Sequence, residues 1–180
     1  MRLSLPLTGA MIIATLLAGS AVAGDVEDCL EGQPEACSRI IEQVGQPADK
    51  LAGAYSLRAT YYLLNNDAAR SMADFDQAIR FDPNHAEAYF GRGRAHQVLG
   101  RLDAAIADWD AAIGLDPRHV NALISRGAIH ALKGEMQQAF ADHDRAIEAD
   151  PNNAAAWGSR GSLNLVTSRF AQATKDLDRA

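Results

Sequence analysis

The sequence predicts an all-α solenoid built of helical hairpins. One motif is written three times at a constant interval, and inside each copy the apolar positions recur at helical spacing. The copies read DFDQAIRFDPNHAEAYFGRG from Asp74, DWDAAIGLDPRHVNALISRG from Asp108 and DHDRAIEADPNNAAAWGSRG from Asp142. An Asp-Pro pair in each copy, Asp82-Pro83, Asp116-Pro117 and Asp150-Pro151, sets the register.

Taken in order, the first residues have the anatomy of a secretory signal, predicted for 1–23. Arg2 is their single charge, Ala10–Ala18 is a short apolar centre, and Ala21-Val22-Ala23 is a small-x-small cleavage site. The competing reading, a transmembrane anchor, fails on Pro6, Thr8 and Gly9, which leave too short an apolar run. Cleavage after Ala23 removes Arg2 and no acid, so the charge goes from -6 to -7. A secreted or periplasmic location follows as an expectation.

Residues 24–51 form a lead-in that carries both cysteines, Cys29 and Cys37. In a chain bound for an oxidising compartment a disulfide is expected. Closing so short a loop is worth about 2–3 kcal/mol in the chain-entropy account. The spacing excludes a CxxC redox pair, and the residues VEDC lack the small apolar run that precedes a lipidated cysteine. Ile40-Ile41 aligns with Ala78-Ile79 at an offset of 38 rather than 34. That reads as half a repeat plus a short insertion, with Cys37 on a capping helix tied back around Gly32 and Pro34.

The repeats then run 52–85, 86–119, 120–153 and 154–180, the last one incomplete. In the second, Ala88, Tyr89, Ala95, Val98 and Leu99 mark one helix and Leu102, Ala105, Ile106, Trp109, Ala112 and Ile113 another. Gly100 is the turn between them, and Pro117 ends the second helix because the residue before a proline is pushed out of helical geometry. A single hairpin buries one face, so its neighbours must cover the other.

One arginine and two aspartates keep their places in these copies. Arg58, Arg92, Arg126 and Arg160 each precede an aspartate at the same offset of 16: Asp74, Asp108, Asp142 and Asp176. The last three also follow one at that offset: Asp76, Asp110 and Asp144. In antiparallel helices, residues equidistant from a turn lie at one height. Aspartates two apart point about 200° around the axis from each other, so each can face a different neighbour. The expectation is an ion ladder, 76–92–108, 110–126–142 and 144–160–176, with Arg58–Asp74 at its start. The planar guanidinium suits a place between two carboxylates. Solvated charges on an outer face are the alternative.

This pattern resembles the tetratricopeptide repeat (TPR) family over nearly everything after Lys50. The match includes Tyr89, Gly93, Ala105, Trp109, Ala112 and Pro117 in the second repeat, Gly127, Ala139, Ala146 and Pro151 in the third, and Trp157, Gly161, Ala173 and Ala180 in the fourth. The first is looser: Tyr55, Tyr62, Phe75, Ala78 and Pro83 fit, while Ala59 replaces the glycine and Ser71 the alanine. The ladder arginines depart from the family, which more usually has leucine there. The resemblance implies a right-handed superhelix and a concave groove, lined by first helices, that receives a peptide or partner helix. Carried over residue by residue, that groove is Ser56, Thr60 and Leu63; Glu87, Phe90, Arg94 and Gln97; Asn121, Ile124 and Ala128; Ser162 and Leu165. The family's chaperone-docking members hold a terminal carboxylate with several cations, and Arg94 is the one cation of this set. An apolar or backbone-reading contact is expected instead. Together with the signal and the cysteine pair, the chain resembles small periplasmic TPR proteins of Gram-negative bacteria.

Nothing in the sequence resembles an enzyme site. It contains no G-x-S-x-G elbow, H-E-x-x-H pair, Walker loop or dinucleotide turn. His130 and His143 fall on facing helices of the third repeat without a third ligand, so they read as a core pair rather than a metal site. No cofactor is expected. The acidic charge and the lack of a basic run speak against nucleic acid. At the far end, Leu163, Val166, Phe170, Ala173 and Leu177 are expected to be partly exposed, which fits either a longer protein, the favoured reading, or self-association there. The function expected is a non-catalytic binding scaffold of the envelope; the alternative is a self-assembling structural component.

Overall fold

The computed structural model describes residues 24–180. The expected signal, 1–23, lies outside the described residues. Four helices, α1 (residues 24–30), α2 (Pro34–Glu42), α3 (Ala48–Leu64) and α4 (Ala68–Phe81), belong to a first unit that ends at Phe81. Six more belong to a second unit, Asp82–Ala180: α5 (Ala86–Val98), α6 (Leu102–Leu115), α7 (Val120–Leu132), α8 (Met136–Ala149), α9 (Ala154–Val166) and α10 (Phe170–Leu177). The fold is all-α, and among the described residues no strand occurs. No described helix is long and apolar enough to cross a membrane.

Each hairpin turns the same way for the same reason. The second residue after the first helix adopts a left-handed conformation: Asn66 (φ 60°), Gly100 (71°), Gly134 (80°) and Ser168 (61°). The next residue then donates its amide to a carbonyl five positions back, as Arg101 does to His96 at 2.9 Å and Arg169 to Asn164 at 2.8 Å. This is the Schellman closure, which satisfies the orphan carbonyls of a helix end. At the other turn, the aspartate of each Asp-Pro pair accepts the amide two residues on. Asp82 accepts from Asn84 at 2.9 Å, Asp116 from Arg118 at 3.0 Å and Asp150 from Asn152 at 3.1 Å. The proline stops one helix and the aspartate shapes the turn into the next.

In the first unit α3 packs on α2 and α4. Cys29, Ala36, Cys37, Ile40 and Ala54 bury together, with Val26, Ile41 and Leu57 against them. The cysteine sulfurs stand 2.13 Å apart. The helix α3 opens at Ala48, ahead of the repeat register at residue 52.

In the second unit α5 packs on α6, α7 on α8 and α9 on α10, and the pairs join through α6–α7, α8–α9 and α7–α9. Trp109, Ala112, Ile113, Leu123, Ile129, Ile147 and Trp157 belong to one core. Its small residues sit where helices come closest: Gly127 faces the His143 ring, and a β-carbon there would lie 2.8 Å from it. The end of the unit is less bare than the sequence suggests. Leu163 and Ala173 are buried, and Val166, Phe170 and Leu177 remain exposed.

Candidate protein-interaction surface

The arginine positions are settled by two different kinds of contact. Within a hairpin the guanidinium engages its aspartate through two parallel bonds. Arg58 donates to Asp74 at 2.7 and 2.8 Å, Arg92 to Asp108 at 2.9 and 2.6 Å, Arg126 to Asp142 at 2.8 and 2.5 Å, and Arg160 to Asp176 at 2.9 and 2.7 Å. All four of these carboxylates are buried. Between hairpins of the second unit a single bond reaches back: Arg126 Nη1 to Asp110 at 2.5 Å and Arg160 Nη1 to Asp144 at 2.7 Å, both acids about half exposed. The buried Asp142 and Asp176 hold the Arg126 and Arg160 guanidinium pKa above its ordinary value. Asp76 lies on α4 in the first unit.

Arg58 differs from the expectation, because its third nitrogen donates to the Ser38 hydroxyl at 2.8 Å. Ser38 precedes Asp76 at an offset of 38, the same at which Ile40-Ile41 aligns with Ala78-Ile79. A hydroxyl of the lead-in therefore occupies the place that Asp110 and Asp144 hold. The offset was visible in the sequence, but a serine carries no charge signal to mark it.

The groove set divides. Gln97, Asn121, Ala128, Ser162 and Leu165 are exposed, and Thr60 and Arg94 are half-buried. Ser56 and Leu63 are buried within the first unit and cannot line an open surface. Phe90 packs against the core and the His119 ring, with centroids 4.9 Å apart, and Ile124 packs on the same core. They are structural side chains rather than free anchors. Glu87 is exposed, and its carboxylate stands 3.3 Å from His119 Nε2. That contact raises the His119 pKa and lowers that of Glu87.

Beside Leu165, the more exposed apolar residues lie one position further along. Val98, Leu132 and Val166 end α5, α7 and α9 at 63%, 72% and 72% exposure, and Leu64 has the same register at the end of α3. Next to Leu132 and Val166 opens a cavity of about 430 Å³, walled by Ala128, Ala131, Met136 and Leu163. Ser159 and Ser162 supply hydroxyls, and the buried His143 lines it.

Three sequence-family models match, each described as a tetratricopeptide repeat: residues 52–85, 75–107 and 92–154, together more than half of the chain. The chain belongs to the tetratricopeptide repeat family. No curated protein matches the TPR chain. A crystal structure of MamA superposes with a TM-score of 0.70 at 18% identity, covering 86% of this chain and 91% of that one. The first TPR of Spaghetti (RPAP3), bound to the HSP90 peptide SRMEEVD, gives 0.61 at 20% identity, covering 68% and 95%. The Arabidopsis OM64 TPR domain gives 0.62 at 19%, covering 66% and 98%. At these identities the likeness is one of fold. TPR arrays are typically non-catalytic interaction modules, and the repeats support a protein-interaction scaffold.

The histidines of the TPR repeats do not converge on one site. His130 Nδ1 lies 2.5 Å from Glu135 Oε2. Burial lowers the pKa of His143, and its Nδ1 is buried without a hydrogen-bond partner. His96 Nε2 stands 3.7 Å from the buried Asp108. His119 caps α7, accepting the Ala122 amide at 3.3 Å. Among the described residues no three metal-ligating side chains gather.

Proposed function

We propose that the chain is a non-catalytic scaffold of an oxidising, exported compartment, the periplasm or cell envelope, that binds an extended apolar segment of a partner protein. The observation that carries the reading is the row Val98, Leu132, Val166 beside the apolar cavity of α7, α8 and α9. Packed helices lie about 8–10 Å apart. A polyproline II or extended segment advances about 3.1–3.3 Å per residue, so side chains three apart meet successive helices. The peptide-bound RPAP3 domain supports a peptide as the kind of partner. A Cys29–Cys37 pairing fits an oxidising compartment, where such bonds persist.

Selection from a random peptide library on residues 24–180 tests the surface. The expected winners carry large apolar residues three apart and are lost on Leu132→Asp plus Val166→Asp. Equal selection by the double variant would end the reading. Fractionation of a Gram-negative host expressing the full chain, with mass measurement of the product, tests location: a periplasmic product beginning at Gly24 and lacking free thiols is expected.

A further inference from the structure

The place that His143 holds in its repeat is held by Phe75 in the first repeat and by Trp109 in the second. Trp109 fills it with an indole whose Nε1 donates to the Phe90 carbonyl at 3.2 Å. His143 is a smaller ring and nearly as buried, at 2% exposure, yet its Nδ1 has no hydrogen-bond partner. Buried polar groups are ordinarily paired, so this nitrogen wants a partner. The imidazole lines the cavity of about 430 Å³ walled by α7, α8 and α9, and a partner can reach it there. With α10 following α9, this is an internal junction of the array.

The wall specifies what enters. Its volume is that of a small-ligand pocket and most of it is apolar, with the Met136 thioether suited to an aromatic ring. Among the described residues no charged side chain lines it, so an ionic tip would lose water without gaining a counter-charge. Besides His143, the polar groups are Ser159 and Ser162, and the Ser162 hydroxyl already donates to the Gly158 carbonyl at 2.9 Å. Burial lowers the His143 pKa, so near pH 7 the ring is neutral, with one donor and one acceptor nitrogen. A turn about Cβ–Cγ exchanges its nitrogen and carbon edges. A hydroxyl both donates and accepts, and so satisfies either tautomer. We propose that the cavity receives a tyrosine side chain of the partner segment, with its ring against Met136 and Leu163 and its hydroxyl bonded to His143. The assignment rests on the reading of Leu132 and Val166 as the rim along which that segment lies.

The pocket is probed apart from the segment with para-cresol and toluene, titrated into the isotope-labelled protein and followed by amide and imidazole nitrogen shifts. Saturable shifts at the cavity wall and at the His143 ring are expected with para-cresol. Toluene should bind about fivefold more weakly, the net worth of one hydrogen bond. His143→Phe keeps a ring and should bring the two probes level, and Ala128→Trp, at an exposed position, should block both. Equal affinity of the two probes, a preference that survives His143→Phe, or no binding of either overturns the proposal. In the peptide selection, a preference for tyrosine over phenylalanine that His143→Phe removes is the supporting result. Peptides that depend on Leu132 and Val166 but ignore tyrosine overturn the pocket and keep the groove. Phenol selectivity with no peptide selected overturns the groove, and with it the tyrosine, and leaves a pocket for a free phenol.

Discussion

The Trp109 indole stands so close to Gly93 that a β-carbon added to the glycine would lie 2.5 Å from Nε1. The same nitrogen donates to the Phe90 carbonyl at 3.2 Å, which holds the ring in place. Gly93→Ala must therefore displace a fully buried ring. Overpacking of this kind costs about 1–3 kcal/mol, against about 1 kcal/mol gained in helix propensity. Thermal melting should show a clear loss. Gly161→Ala meets Leu177 Cγ at 2.9 Å and Cβ of the buried Asp176 at 3.3 Å; because Leu177 is partly exposed, the loss should be smaller than at Gly93. Gly114→Ala faces open space and should gain about 0.5–1 kcal/mol.

The ladder makes a second graded prediction. Arg126→Leu strands the buried Asp142 carboxylate, and removing one member of a buried pair costs about 3–5 kcal/mol. Asp110→Asn breaks only the half-exposed rung and should cost less than about 1 kcal/mol. Urea unfolding of the two variants checks the asymmetry. Because Arg126→Leu breaks both of its rungs, equal losses would mean that the rung within the hairpin contributes nothing.

His143 gives a pH dependence of definite sign. Burial lowers its pKa below the ordinary 6.5; Asp142 and Asp144 oppose this, and Arg160 adds to it. The unfolded chain then takes up the proton first, so this contribution is present above about pH 6.5 and is lost as pH falls through the folded value. His143→Phe, the residue at the equivalent position 75, should flatten the melting temperature between about pH 5 and 7 relative to wild type. An unchanged slope would remove His143 as the cause.

Ser168 takes the left-handed turn that Gly100 and Gly134 take elsewhere. A non-glycine residue there costs about 1–2 kcal/mol. Ser168→Gly should therefore raise the melting temperature, by about 2–4 °C for each kcal/mol recovered in a chain of this size.

Much of this was legible beforehand because it is local. The constant repeat interval, the glycine at two of the turns and the proline after each complete second helix act through backbone geometry within a few residues. The fixed spacing of arginine and aspartate brackets a turn, so it too follows from counting. The serine that completes the Arg58 site was countable at the offset of 38 but had no charge to draw attention.

The proposed binding surface was legible only in part: Leu165 is exposed as a groove residue should be, whereas others of the expected set are not. Leu63 is buried while Leu64 is exposed, and Phe90 belongs to the core. One residue turns a helix by about 100°, so the open face depends on the angle at which neighbouring helices cross. The sequence by itself determined the hairpins, their turns and which charges stand level. Only packing between helices decided which carboxylates were sealed from water and which side chains faced it, because burial is a property of the neighbours rather than of the strand of letters.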